Sequence, residues 1–142
     1  MRRVDALFDR YGESHRHPVN KTIHWICVPL ITWSLLAALW AWSPVAAYAL
    51  IGVATAFYLT LSVPLAIGML VVSAAMIVPL TRTAPQHVLA VAAAVFVLAW
   101  VGQFIGHKIE GKKPSFFEDI KFLLIGPAWL LGFVYRRWNI PY

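Results

Sequence analysis

Polar and apolar positions divide the chain into unequal zones. From Trp25 to Thr81 no side chain carries a charge, a run too long for a strand or a core helix and sufficient for three membrane spans of about 17–20 residues. Ser43-Pro44 and Ser62-Val63-Pro64 interrupt it, so the pattern predicts spans at about residues 22–42, 45–61 and 64–80. A polar loop, Thr81–His87, precedes a fourth span at about 88–106. Upstream, Val4, Leu7, Phe8 and Tyr11 recur at three- and four-residue spacing among Arg3, Asp5, Asp9, Arg10 and Glu13. This predicts an amphipathic helix suited to lying on a membrane surface. Pro18 lacks an N–H and disfavours helical geometry in His17, so a turn is expected over His15–Val19, with Asn20 as the N-cap of the first span. Downstream, the apolar run Ile120–Phe133 carries Gly126-Pro127 in its middle, which predicts a re-entrant or interfacial segment rather than a fifth span. The expected fold class is all-α: one domain over residues 1–142, an integral membrane four-helix bundle with an amphipathic N-terminal helix and a C-terminal re-entrant or interfacial segment.

Composition supports the membrane reading, because 61% of the residues are hydrophobic, against roughly 45–50% in soluble domains. The net charge of +6 is explained by where the charges fall. Five basic residues precede the first span (Arg2, Arg3, Arg10, Arg16, Lys21) and six follow the fourth (Lys108, Lys112, Lys113, Lys121, Arg136, Arg137); Arg82 alone lies elsewhere. The positive-inside rule then places both termini in the cytoplasm, the layout of a multi-pass protein of a bacterial inner membrane. No motif interleaves the charges with exposed aromatics, so a nucleic-acid partner is not expected. The amino terminus is too polar for a signal peptide. Cys27 is the only cysteine, which excludes an intrachain disulfide and any paired-cysteine metal motif.

The topology gathers chemistry at one membrane face. His15, His24 and His107 reach the expected cytoplasmic boundary, and three neutral imidazoles converging at one depth predict a metal site. His17 reads as a capping or headgroup-bonding residue. His87 falls in the loop at the opposite face and is not expected to join the others. Gln103, His107 and Glu110 share one helix face through i, i+4 and i, i+3 spacing, so Glu110 could be a further ligand or could orient a histidine. Gly102 and Gly106 form a stripe that lets another helix approach, with the first span as the expected neighbour. Tyr11 reads either as an interfacial anchor or as a hydroxyl aimed at the site. Of the tryptophans, only Trp100 is expected to line it. Asn20 could be a cap alone, and Lys108, Lys112 and Lys113 could be positive-inside charge alone.

Two motifs carry a resemblance. Tyr11, His15, Asn20 and His24 in the pattern Y-x-x-x-H-x-x-x-x-N-x-x-x-H, followed by Pro29, and Trp100, Gln103, Phe104, Gly106 and His107 in W-x-x-Q-F-x-G-H, followed by Glu110 and Pro114, resemble the 2-hydroxy fatty acid dioxygenase family. Glu110 stands three residues after His107 where the fungal members place a glutamate four residues after theirs. The resemblance covers nearly the whole chain. It implies an Fe(II)-dependent enzyme that uses O₂ to shorten a 2-hydroxy fatty acid by one carbon, with His15, His24 and His107 as metal ligands. Tyr11, Gln103 and Glu110 are then expected to act in catalysis. Asn20, Trp100, Lys108, Lys112 and Lys113 are expected to contact the substrate, the lysines by pairing with its carboxylate while the acyl tail lies between the spans. A homodimer is left open. The rival reading is a small non-enzymatic membrane protein that binds lipid, or binds zinc structurally. A transporter is disfavoured by the absence of charge at hydrocarbon depth.

Overall fold

The computed structural model describes all 142 residues and contains no strand. Its helices are α1 (Arg3–Gly12), α2 (Pro18–Trp42), α3 (Pro44–Leu59), α4 (Val63–Ile77), α5 (Pro85–Glu110) and α6 (Phe122–Arg137); short 3₁₀ turns at Val78–Arg82 and Ser115–Phe117 extend α4 and precede α6. A proline occupies the first or second position of each of α2, α3, α4 and α5. The missing N–H costs nothing there and the fixed φ is already helical. The expected span boundaries agree with the helices to within a few residues. Three helices are long and apolar enough to cross a membrane: Pro18–Trp42, Val63–Arg82 and Pro85–Glu110. α3 is equally apolar but has 16 residues, about 24 Å of helix.

Three local expectations change. α2 starts at Pro18, not after Asn20, and His17 is its N-cap, with Nδ1 accepting from the backbone N–H of Val19 at 3.1 Å. The proline read as a breaker is a starter, and Asn20 is freed for another task. Secondly, α1 does not expose its apolar face to lipid: Val4, Phe8 and Tyr11 are buried, and α1 packs along α6. Thirdly, the C-terminal segment, expected to be re-entrant or interfacial, is one continuous helix through Gly126-Pro127, with Ile125 and Ala128 fully buried. α6 meets α3 where the Tyr58 hydroxyl donates to the Leu124 carbonyl, and meets α4 where the Tyr135 hydroxyl donates to the Pro64 carbonyl. On α2, Trp25 packs on Phe133. These contacts fall near the start of α2, the end of α3 and the start of α4, so α6 is seated on one end of the bundle.

α2 and α5 form the most extensive helix pair, and the glycine stripe is the reason. A Cβ on Gly102 would lie 2.7 Å from Cys27 Sγ, and one on Gly106 would lie 2.5 Å from Asn20 Oδ1. The core has two parts. One, at the α6 end, gathers α1, α6 and the facing turns of α2, α3 and α4 around Phe8, Tyr58, Leu65, Ile125 and Trp129. The other, at the far end, is built from Ala37, Ala47, Ile77, Leu80, Val88 and Ala92. The two termini meet at the α6 end, where the Arg2 guanidinium donates to the Tyr142 carbonyl.

Candidate metal centre

Four segments converge on the α6 end. The last turn of α1 supplies Tyr11, the link to α2 supplies Ser14 and His15, the first turns of α2 supply Asn20 and His24, and the last turns of α5 supply Gln103, His107 and Glu110. α5 stops because Gly111 adopts a left-handed conformation (φ 78°), a backbone shape glycine enters without cost. The chain then turns back, and Ser115 Oγ meets Ser14 Oγ at 2.6 Å.

The three imidazoles expected to meet do meet. Ring centroids lie 4.5 Å apart for His15 and His24 and 4.8 Å for His15 and His107, each pair edge to face. Tyr11 stacks on His15 at 4.4 Å and places its hydroxyl 3.5 Å from both ring nitrogens of His24. Gly126 makes room for that hydroxyl, since a Cβ there would sit 2.8 Å from it. Burial pushes the Tyr11 hydroxyl well above its ordinary range, so it stays protonated and can only donate or accept a hydrogen bond, not serve as a base. His87 is twenty residues from His107 on the same helix, about 30 Å away along its axis, and takes no part.

The tautomer of His15 follows from its partner. Nδ1 lies 2.8 Å from the Tyr11 carbonyl oxygen, which can only accept, so Nδ1 carries the proton and Nε2 carries the lone pair. Burial pushes the imidazole down to about 4, so it is neutral at physiological pH. His15 Nε2, His107 Nδ1, Gln103 Oε1 and Asn20 Oδ1 are all buried without a hydrogen-bond partner. Each orphaned polar atom costs on the order of 1–3 kcal/mol, so four in one place call for a ligand or bound water to satisfy them. The chemistry of the set fits a divalent metal: neutral imidazole nitrogens with free lone pairs beside amide oxygens. The donors are not yet gathered on one point, since no three His, Cys, Asp or Glu side chains stand as a metal-holding group.

Glu110 is otherwise engaged. Its carboxylate accepts from the backbone N–H groups of Arg16 (3.0 Å) and His17 (2.7 Å) and from Asn20 Nδ2 (3.2 Å). It therefore ties the end of α5 to the start of α2, where free N–H groups and the helix dipole favour an anion. Asn20, fully buried, also donates to the Ser14 carbonyl at 2.9 Å. Glu110 and Asn20 together fix the link that carries His15. A cavity of about 50 Å³ opens beside the histidines, lined by Tyr11, Trp100, Gln103 and His107; it has room for a water or a diatomic gas. Lys108, Lys112 and Lys113 line a separate surface recess that also reaches His107, and Lys112 Nζ donates to the Glu13 carbonyl.

The family follows from the whole chain. A family model described as 2-hydroxy-palmitic acid dioxygenase Mpo1-like matches residues 1–138. The chain belongs to the Mpo1-like family. No curated protein and no solved structure matches it. Reasoning from sequence missed one residue of the centre in this family member: Trp129, whose ring centroid lies 5.3–5.4 Å from those of Tyr11, His15 and His24. Its only sequence signal is an aromatic three residues after Gly126, in a segment expected to be re-entrant or interfacial.

Proposed function

We propose that the protein is an Fe(II)-dependent membrane dioxygenase that converts a 2-hydroxy fatty acid and O₂ into the fatty acid one carbon shorter, CO₂ and water. The observation that carries this reading is the pair of buried, unpartnered ring nitrogens on His15 and His107 beside His24; the family's printed description supports it. His15, His24 and His107 would hold the iron, which when bound supplies a Lewis acid able to take the substrate's hydroxyl and carboxylate and to activate O₂. The protein's own part is positional. Tyr11 orients His24 and offers its hydroxyl proton to an oxygen placed in the small cavity, Gln103 offers its amide there, and Glu110 with Asn20 holds His15 in register. Lys108 and Lys113, beside His107, attract the carboxylate to the recess. With Lys and Arg concentrated near the centre, the positive-inside rule puts that end, and both termini, in the cytoplasm.

The test is to purify the protein in detergent under anaerobic conditions, measure its metal by mass spectrometry, and then supply O₂ with 2-hydroxyhexadecanoic acid or with hexadecanoic acid. Iron near one per chain and conversion of the hydroxy acid alone are expected. No metal and no conversion would sink the oxygenase. The absence of a gathered three-donor group favours a second reading, a lipid-binding membrane protein without redox chemistry, and that outcome would support it.

A further inference from the structure

Between the two packed parts of the core lies a second cavity of about 240 Å³. It shares Ile31, Thr32, Trp100 and Leu123 with the small cavity beside the histidines, so the two are neighbours across one constriction. Its lining is apolar in effect as well as in composition. The three hydroxyls that reach it are spent on backbone carbonyls: Thr32 on Val28, Tyr58 on Leu124 and Ser73 on Met69, at 2.6–2.9 Å. Apart from the Trp100 indole N–H, no lining side chain keeps a free donor for water, and an apolar cavity of about 150 Å³ is already enough to take up a benzene. The space also has a length. Leu36, in its wall, is twelve residues beyond His24 on α2, about 18 Å along the axis. One leaflet of a bilayer's hydrocarbon core is about 15 Å deep, so the distance from the histidines matches a long acyl chain. Beyond Leu36 and Ile51 the far-end core closes the bundle with Ala37, Ala47 and Leu80.

Taking the oxygenase reading as its premise, we propose that this cavity is the acyl-chain site, with Leu36 and Ile51 as the floor that sets the longest chain accepted and Ala54 and Ser73 as the wall that gives it width. The carboxylate end then lies at the histidines and the methyl end points away from them, past Trp100, towards the far-end core. Selectivity for chain length is built into the helix packing. Each methylene that finds no room forfeits about fourfold in affinity.

The experiment uses the full chain in detergent, with cis-parinaric acid as a fluorescent probe displaced by a stepped series of saturated fatty acids and, in parallel, by their 2-hydroxy counterparts. Affinity should climb with length to a ceiling. Ala54→Phe and Ser73→Phe should each lower that ceiling and weaken the longest acids by roughly fifteen- to sixtyfold, the loss of two or three methylenes, while short acids bind as before. Leu36→Ala, which adds room instead of removing it, should raise the ceiling; it decides the matter if the bulky variants do not fold. Ceilings that stay put in the folded variants would overturn the proposal, even if the wild type holds iron and consumes the hydroxy acid. Ceilings that move in a protein that neither holds iron nor oxidises anything would uphold the acyl site and remove the oxygenase.

Discussion

The two ends of the bundle bury their side chains under opposite rules. At the far end the packed residues are Ala37, Ala47, Ile77, Leu80, Val88 and Ala92, and the nearby buried hydroxyl of Ser34 is satisfied by the Ile31 carbonyl. At the α6 end Ser14, His15, Asn20, His24, Gln103, His107 and Ser115 are buried together, and four of their polar atoms lack a partner. The far end shows that this chain can close a bundle with hydrocarbon alone. The polar end is therefore a cost the fold bears rather than a packing necessity, and it is borne where three helices and two links meet. A ligand or bound water that reached those four atoms would offset it.

The comparison breaks most sharply at the histidines. His15→Ala, His24→Ala and His107→Ala should each lower metal affinity by more than about a hundredfold, beyond the 10–100-fold typical of residues that only support a ligand. His87→Ala at the far end should leave it unchanged; metal content by mass spectrometry reads both, and loss through His87 alone would overturn the centre. Acid should act next. His15, held near 4 by burial against an ordinary 6.5, binds fewer protons folded than unfolded between those values. Its contribution is thus complete above pH 6.5 and falls as pH drops towards 4, by on the order of 3 kcal/mol. Thermal unfolding across that range should show the loss, and His15→Gln should lessen it. Glycines sharpen the contrast at a scale of about 1–3 kcal/mol: Gly106→Ala presses on Asn20 and should lower Tm, whereas Gly52→Ala, with nothing within 4 Å, should raise it slightly. Smallest of the four, Glu110→Gln keeps an acceptor but loses the charge, so it should cost about 1–2 kcal/mol of stability and retain metal with weaker binding. Complete loss of metal would make Glu110 a ligand.

The long-range contacts explain what was and was not legible in advance. Helix positions followed from the uncharged run and from four prolines, since Pro18, Pro44, Pro64 and Pro85 each stand in the first turn of a helix. The meeting of His15 with His24 and His107 followed from topology, because antiparallel spans return their ends to the same face. The glycine stripe predicted the α2 and α5 pairing for a steric reason that holds in any context. The α1 helix was read correctly as amphipathic but assigned to lipid, because periodicity gives a face and not what covers it. The same limit hid Trp129: length and Gly126-Pro127 marked the C-terminal run as re-entrant or interfacial, and its burial depends on contacts with α1, α2, α3 and α4 that no local pattern encodes.

By itself, then, the amino-acid sequence determined an all-α protein with helices long and apolar enough to cross a membrane, the order and approximate limits of its helices, and the set of residues brought to one end. These depend on local terms: hydropathy, proline and glycine sterics, and the alternation of direction along the chain. Only the tertiary structure decided which buried polar atoms lack a partner, that Glu110 and Asn20 are joined to each other and to the start of α2, and that an apolar cavity lies in the middle of the bundle, next to the small one at His107. A cavity is what several surfaces leave unfilled, and an orphaned nitrogen is one that no neighbour reaches. Both are properties of the whole packing, which is why neither is written at any one position in the chain.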